Sequence, residues 1–446
     1  MFTKIFIDNF LGISSPVELD FISKSRGKDN NSSIVKTIDG IYINKMIGII
    51  GGNASGKTSI LSAINTIGAL LVQPVLQFNI EEKLKDLEKI ILDDNDSENR
   101  KLLHDILDDF NSGVDIRFQN VRRKNDDSTF EIEMYISNEV EDLAGYYNYK
   151  IVLNGTEKSI KSENLKFRKK YSQNSEDVVN ITNAKEGQVY YINRYFKNIA
   201  DINDEKREQL ERKYKYINCF ITHYIKNSAT ISTDSDNNYK ELKFIDWYKK
   251  SPEVFTTLAK VVDTKICDVI IEKDSRNEEL LFVLKDGSKI TRNMLSTGTD
   301  RFLNLIRYVN DTIEKNGILI IDEIEQNLHK DLVKLIINLF SNLNSNNSQI
   351  IFTTLSPDIF DTLDENNRKV FKQDMIYILD SDSSVIKVDK LIDIKIDGQR
   401  VKGDALVTNL YRDKKISVHP SNEQINTFLC NYKNRLSWVS HLNKLK

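Results

Sequence analysis

Cysteine is scarce in this sequence. Three occur in 446 residues, Cys219, Cys267 and Cys430, far apart, odd in number and without a C-x-x-C pair. Neither a disulfide framework nor a thiolate zinc site is expected, and the thiols read as buried or incidental groups of a reducing compartment. The five histidines form no metal-ligand spacing. No leader is expected either: MFTKIFIDNFLGI has no basic start, no long apolar core and no small-residue cleavage site, and does not read as a signal peptide. No run approaches the roughly 18 apolar residues that a spanning helix requires. The expectation is a cytoplasmic protein with no membrane contact. Excess charge of one sign is lacking too, since the net charge is −3 and the pI is near 6.1. Nothing in bulk draws such a chain to nucleic acid or an anionic surface, so any such contact must come from a local patch. No internal repeat or low-complexity segment stands out.

What is present describes a folded chain: 40% hydrophobic and 29% charged residues, with a length that suits two or three domains or one large domain with insertions. FTKIFIDNF and VELDF alternate apolar and polar residues on either side of the turn-like GISSP, which reads as two paired strands. IYINKMIGII is strand-like, and a helix follows over roughly 56–72. Residues from about 79 to 110 carry apolar positions at three- and four-residue spacing and read as a charged helical stretch. VDIRFQNV, TFEIEMYI, YYNYKIVLN and ENLKFRKK read as an antiparallel meander. Residues 196–262 read as mostly helical. In the second half, apolar strands alternate with helices, which predicts a parallel sheet buried on both faces.

Gly51-Gly52-Asn53-Ala54-Ser55-Gly56-Lys57-Thr58 fits G-x-x-x-x-G-K-[ST] between an apolar strand and a helix, the context that gives the motif its meaning. Glycines let the backbone turn tightly, so that consecutive N–H groups cradle phosphate oxygens at a helix N-terminus. Lys57 supplies charge to the β- and γ-phosphates, and the Thr58 hydroxyl can ligate Mg²⁺. Gly317-Ile318-Leu319-Ile320-Ile321-Asp322-Glu323 reads as a buried strand ending in two acids. Asp322 would hold Mg²⁺ through water, and Glu323 could orient a water and act as general base. Adjacent acids at a strand end are common, but paired with the loop they point to hydrolysis. Leu295-Ser296-Thr297-Gly298-Thr299 opens another helix and makes a second anion-binding terminus. One subunit has little need of two for one triphosphate. The economical expectation is that this one faces a triphosphate held by a second subunit.

In that order, GGNASGKTS, LSTGT, ILIIDEIEQNLH and IIFTTLSP resemble the ABC-type ATPase heads of the RecF/SMC/OLD-like group. They look most like the compact "AAA family ATPase" subunits of bacterial anti-phage defence systems such as PARIS or Septu. The likeness covers most of residues 1–70 and 280–400. It implies an α/β P-loop ATPase head with a parallel core sheet, an antiparallel β layer and helical insertions. Residues 1–195 would form the first part of the head, with a helical insert at about 75–112 and the β-meander. Residues 196–262 would be a helical insertion, and 263–446 the remainder of the head with a tail.

Carried onto this chain, the resemblance implies ATP and Mg²⁺ as ligands. Asn53, Ala54, Ser55, Gly56, Lys57, Thr58 and Ser59 would hold the phosphates, Thr58 and Asp322 the metal, and Glu323 would be the base. Ser296 and Gly298 would complete the partner's site in a head-to-tail homodimer or higher homo-oligomer. Asn327-Leu328-His329 would pass between the sites, with His329 a possible contributor, and Gln119 is the candidate glutamine-loop residue. The chain departs from the family at two places: Leu355 stands where a phosphate-sensing His is usual, and Leu11 where many relatives carry Arg. Slow turnover, or ATP used as a latch, becomes credible at a leucine that cannot bond a phosphate. Asp380-Ser381-Asp382 is similar to a nuclease D-x-D, but too little chain follows it, so a turn after a strand is the better reading. Arg122-Arg123-Lys124 and Lys166–Lys170 are short basic runs that could touch DNA, though a solvated face is the commoner meaning. The expected role is a sensor or scaffold ATPase of a defence system controlling a separately encoded effector. The alternatives are a RecF/SMC-like DNA-maintenance ATPase and an ATP-latched scaffold.

Overall fold

A computed structural model describes residues 1–24, 33–53, 55–68, 126–137, 141–156, 160–182, most of 212–223, 228–231, 238–273, 278–343, 347–380, 386–413, 416 and 430. The expected helical stretch at about 79–110, Gln119, the basic run 122–124 and Asp382 lie outside the described residues.

Among the described residues, three sheets of three or more strands carry the structure, beside two two-stranded ribbons. The central one has the order β10-β14-β15-β5-β16-β17, built from Ser228–Ile231 (β10), Ile318–Ile321 (β14), Gln349–Thr354 (β15), Met46–Gly51 (β5), Ile376–Asp380 (β16) and Lys387–Lys390 (β17). The first five are mutually parallel, and β17 closes the edge antiparallel. Every residue of β5, β14 and β15 is buried, as a parallel sheet covered on both faces demands. Of the helices, α4 (Thr297–Glu314) packs on β14 and on α5 (Lys330–Leu343). Helix α1, residues 57–68, leaves the C-terminal end of β5.

The second sheet has the order β2-β1-β6-β7-β8-β9, from Phe2–Asp8 (β1), Val17–Asp20 (β2), Ser128–Ile136 (β6), Gly145–Leu153 (β7), Ile160–Lys169 (β8) and Glu176–Thr182 (β9). It is antiparallel throughout. Burial alternates along β1 and β6, so one face is packed and the other is wet. Gln349, at the start of β15, clips this layer to the core: its Oε1 accepts from Phe2 N at 2.8 Å, while its Nε2 donates to Phe2 O and Asn44 O. The third sheet, β11 (Ile266–Lys273), β12 (Glu278–Leu284) and β13 (Lys289–Thr291), is covered by α2 (Asn238–Lys250) and α3 (Pro252–Val262).

Two local readings change in the structure. IYINKMIGII is two strands, β4 (Tyr42–Asn44) and β5, parted at Lys45; β4 pairs with β3 (Ile34–Lys36) outside the core sheet. Strand β10 lies within the stretch read as helical and adds to the edge of β14, where an uncovered row of backbone donors and acceptors would otherwise stand. The basic residues of β8 are engaged with their own chain. Lys166 lies 3.8 Å from Asp177, Lys169 pairs with Asp142, and Arg168 stacks 4.0 Å over the Tyr146 ring. Among the described residues, no helix is long and apolar enough to cross a membrane.

Candidate functional site

The site gathers where β5, β14 and β15 end side by side. The loop between β5 and α1 needs glycine at two places. A Cβ on Gly51 would meet Ser55 Oγ at 2.3 Å, and Gly56 adopts φ +97° with Ile386 Cδ1 only 2.1 Å from where its Cβ would be. A side chain is barred there by space and by backbone conformation together. Asn53 is exposed, Ser55 is buried with its Oγ unpartnered, Ser59 is half-buried, and Ala54 lies outside the described residues. Lys57 folds back and donates from Nζ to Gly51 O at 2.8 Å and Gly52 O at 2.7 Å. Burial pushes its pKa down, against the opposing pull of Glu323, Asp322 and Glu325. This is a partly dehydrated cation facing carboxylates, and a polyphosphate would satisfy it better than two carbonyls do.

Thr58 Oγ1 donates to Asp322 Oδ2 at 2.9 Å. These are hard oxygen donors on adjoining elements, and a Mg²⁺ ligated by few protein oxygens and completed by phosphate oxygens fits them. Among the described residues, no cluster of three or more His, Cys, Asp or Glu offers a rival cage. Thr353, fully buried in β15, holds the end of β14 in place. Its hydroxyl donates to Asp322 Oδ1 at 2.5 Å and accepts from Glu323 N at 2.8 Å. Glu323 itself is left-handed, φ +47°, an uncommon state for a residue that is not glycine.

From the opposite side comes Arg301, on α4. Its Nη2 donates to Glu323 O at 3.0 Å and to Asp322 O at 3.4 Å. Glu325 Oε1 accepts from the Leu355 amide at 2.5 Å. Leu355 thus meets the acidic strand end through its backbone.

Lys57, Thr58, Asp322 and Glu323 therefore meet within one cluster. Ser296 and Gly298 do not share it: their contacts lie at the start of α4. Ser296 caps that helix, accepting from Thr299 N at 3.1 Å. A Cβ on Gly298 would come within 2.8 Å of Asn327 O, so the helix start rests against the loop after β14. His329 is exposed, and its Nδ1 accepts from Asp331 N at 3.4 Å at the head of α5. Three residues of the cluster escaped the motif-based reading. Thr353 lies inside IIFTTLSP, whose motif gives its first threonine no role. Arg301 and Glu325 carry no signal in one dimension, because their reach depends on how α4 and the β15 end pack around β14.

Residues 46–361 match the AAA_21 family model, described as "AAA domain, putative AbiEii toxin, Type IV TA system". A protein of Vibrio cholerae serotype O1 biovar El Tor, named "Retron Vc95 probable ATPase", is 25% identical over 361 residues, or 73% of this chain and 68% of its own. Among solved structures, an SMC head bound to the C-winged helix domain of ScpA aligns at 14% identity and a TM-score of 0.42, over 87% of this chain and 97% of its own. The SMC head domain from Thermotoga maritima aligns at 10% identity and a TM-score of 0.38, over 89% and 99%. These two likenesses are loose, and the α/β architecture rests on the sheets themselves.

Proposed function

Starting from the fact that the chain belongs to the AAA_21 family of AAA-domain ATPases, we propose that it hydrolyses ATP with Mg²⁺ and works as a switch subunit in bacterial defence. The observation that carries the enzymatic part is the convergence of Lys57, Thr58, Asp322 and Glu323, with Thr353 bonded to both acids. Bound Mg²⁺ would screen charge on the β- and γ-phosphates. Of the chain's own groups, the loop amides and Lys57 would bind phosphate, releasing Lys57 from Gly51 and Gly52. Asp322 and Thr58 would hold the metal. Glu323 would take the proton of the attacking water, its backbone held by Thr353 and Arg301.

The helix start at Ser296 and Gly298 is capped by the Ser296 side chain and rests against Asn327, and among the described residues it makes no hydrogen bond to Lys57 or Thr58. We assign it to the triphosphate of a second copy, so that ATP closes a homodimer. The family description names a toxin and a type IV toxin–antitoxin system, and a curated relative carries the name of a retron ATPase. Both names support a defence role; that a separately encoded effector does the damage is our own assignment.

A second reading, ATP as a latch with little turnover, is favoured by Leu355, whose apolar side chain follows β15 in the switch segment, the stretch where the resemblance leads one to expect a phosphate-sensing His. Phosphate release by the purified chain, compared with Glu323→Gln, separates the two readings. The enzymatic reading expects Mg²⁺-dependent release that collapses in the variant while ATP is still bound. Equal background rates in both proteins, with tight ATP binding, would leave the latch.

A further inference from the structure

We propose that Arg301 is a positioning residue for the proposed base Glu323, and that it ties the backbone of that base to the helix expected to face the partner's nucleotide. The inference rests on the hydrolytic reading above and adds a residue to which no role has been given. Arg301 sits on α4, three residues beyond Gly298. Its Nη2 reaches the carbonyls of both Asp322 and Glu323, at 3.4 and 3.0 Å. One nitrogen of the guanidinium serves both carbonyls. Glu323 is thus pinned on both sides of its Cα: its N–H goes to Thr353 on β15 and its C=O to Arg301 on α4. Two anchors from different elements account for how a non-glycine residue is kept at φ +47°.

A second observation gives the link a direction. Arg301 Nε is buried without a partner, and so is Glu325 Oε2. Glu325 is one of the carboxylates that acts electrostatically on Arg301. A buried donor and a buried acceptor of opposite charge, both unpaired on neighbouring elements, form an arrangement that a small movement of α4 would improve. Glu325 also holds the amide of Leu355. A shift of α4, of the kind expected when Ser296 and Gly298 meet an anion, would therefore pass through Arg301 to Glu323 and through Glu325 to the switch segment. Leu355 lacks a side chain that could sense phosphate, and this backbone route supplies a connection that does not need one.

The test measures ATP turnover, nucleotide affinity and thermal stability in wild type, Arg301→Ala, Arg301→Lys and Glu323→Gln. In Arg301→Ala, kcat is expected to fall about 10- to 100-fold, the factor that loss of hydrogen bonds to a charged group predicts. KM and the affinity for a fluorescent ATP analogue should stay within about threefold, because Arg301 lies outside the phosphate loop. Arg301→Lys should recover part of kcat, and unligated Arg301→Lys should match wild type in melting temperature, which separates positioning from folding. Wild-type kcat in Arg301→Ala, or equal losses in kcat and affinity, overturns the proposal. If wild type and Glu323→Gln release phosphate at the same background rate, the hydrolytic reading itself fails, and that result is distinct from the failure of Arg301.

Discussion

Thr353→Val is the sharpest perturbation of the site, since it keeps the shape of a fully buried side chain and removes one hydroxyl. That hydroxyl donates to Asp322 Oδ1 and accepts from Glu323 N. Its loss leaves a carboxylate oxygen and a backbone N–H without their partners. An unpaired buried group costs about 1–3 kcal/mol. Asp322 keeps the Thr58 hydroxyl on its other oxygen and is only half-buried, so its share is discounted. A total of about 2–3 kcal/mol is expected, seen as a drop of a few degrees in melting temperature. Freed from its anchor, Glu323 drifts, and a misplacement of even ~1 Å costs up to about 100-fold in rate. Single-turnover phosphate release and binding of a non-hydrolysable ATP analogue make the assay: the single-turnover rate constant should fall at least about tenfold while affinity stays within about threefold. Thr353→Ser, which restores the hydroxyl, should return most of the rate. A Thr353→Val protein that turns over and melts like wild type would refute the claim that this hydroxyl organises the two acids.

Other outcomes follow from the same geometry. Gly298→Ala places a methyl 2.8 Å from Asn327 O; ATP-dependent dimerisation by light scattering should weaken in this variant, while single-chain ATP binding is retained. Glu163, buried on β8 and bonded to Tyr149 OH at 2.8 Å, has its carboxyl pushed up to about 7 by burial. Because its folded pKa is raised, this group contributes stability below about pH 4.5 that is lost as pH rises through about 7, a change of about 3 kcal/mol. Melting midpoints from pH 5 to 8 should decline in wild type and flatten in Glu163→Gln; parallel curves would rule out Glu163 as the source. Lys57→Ala should lose the melting-temperature rise that ATP and Mg²⁺ give wild type, a shift linked to binding of the folded state.

Much of the site was legible because its chemistry is local. A phosphate loop needs Gly51 and Gly56 within a few residues of Lys57, and all of them fall within seven residues of the chain. Asp322 and Glu323 end an unbroken apolar run, and such a run is what a strand buried on both faces looks like in one dimension. The parallel core and the antiparallel layer were visible for the same reason, through burial periods of one kind or the other. Strand β10 was not, because it is four residues long, and its strand state is conferred by the open edge of β14 rather than by its own pattern.

The sequence alone determined the family and the order of the parts. Backbone flexibility, charge and strand burial at contiguous positions are properties that a motif carries wherever it folds. Only the tertiary structure decided how the acids are held. Thr353, Arg301, Glu325 and Leu355 come from different elements, and their hydrogen bonds exist because β14 lies between β15 and the face covered by α4. Contacts between residues some twenty to thirty positions apart depend on packing, and no local pattern encodes them.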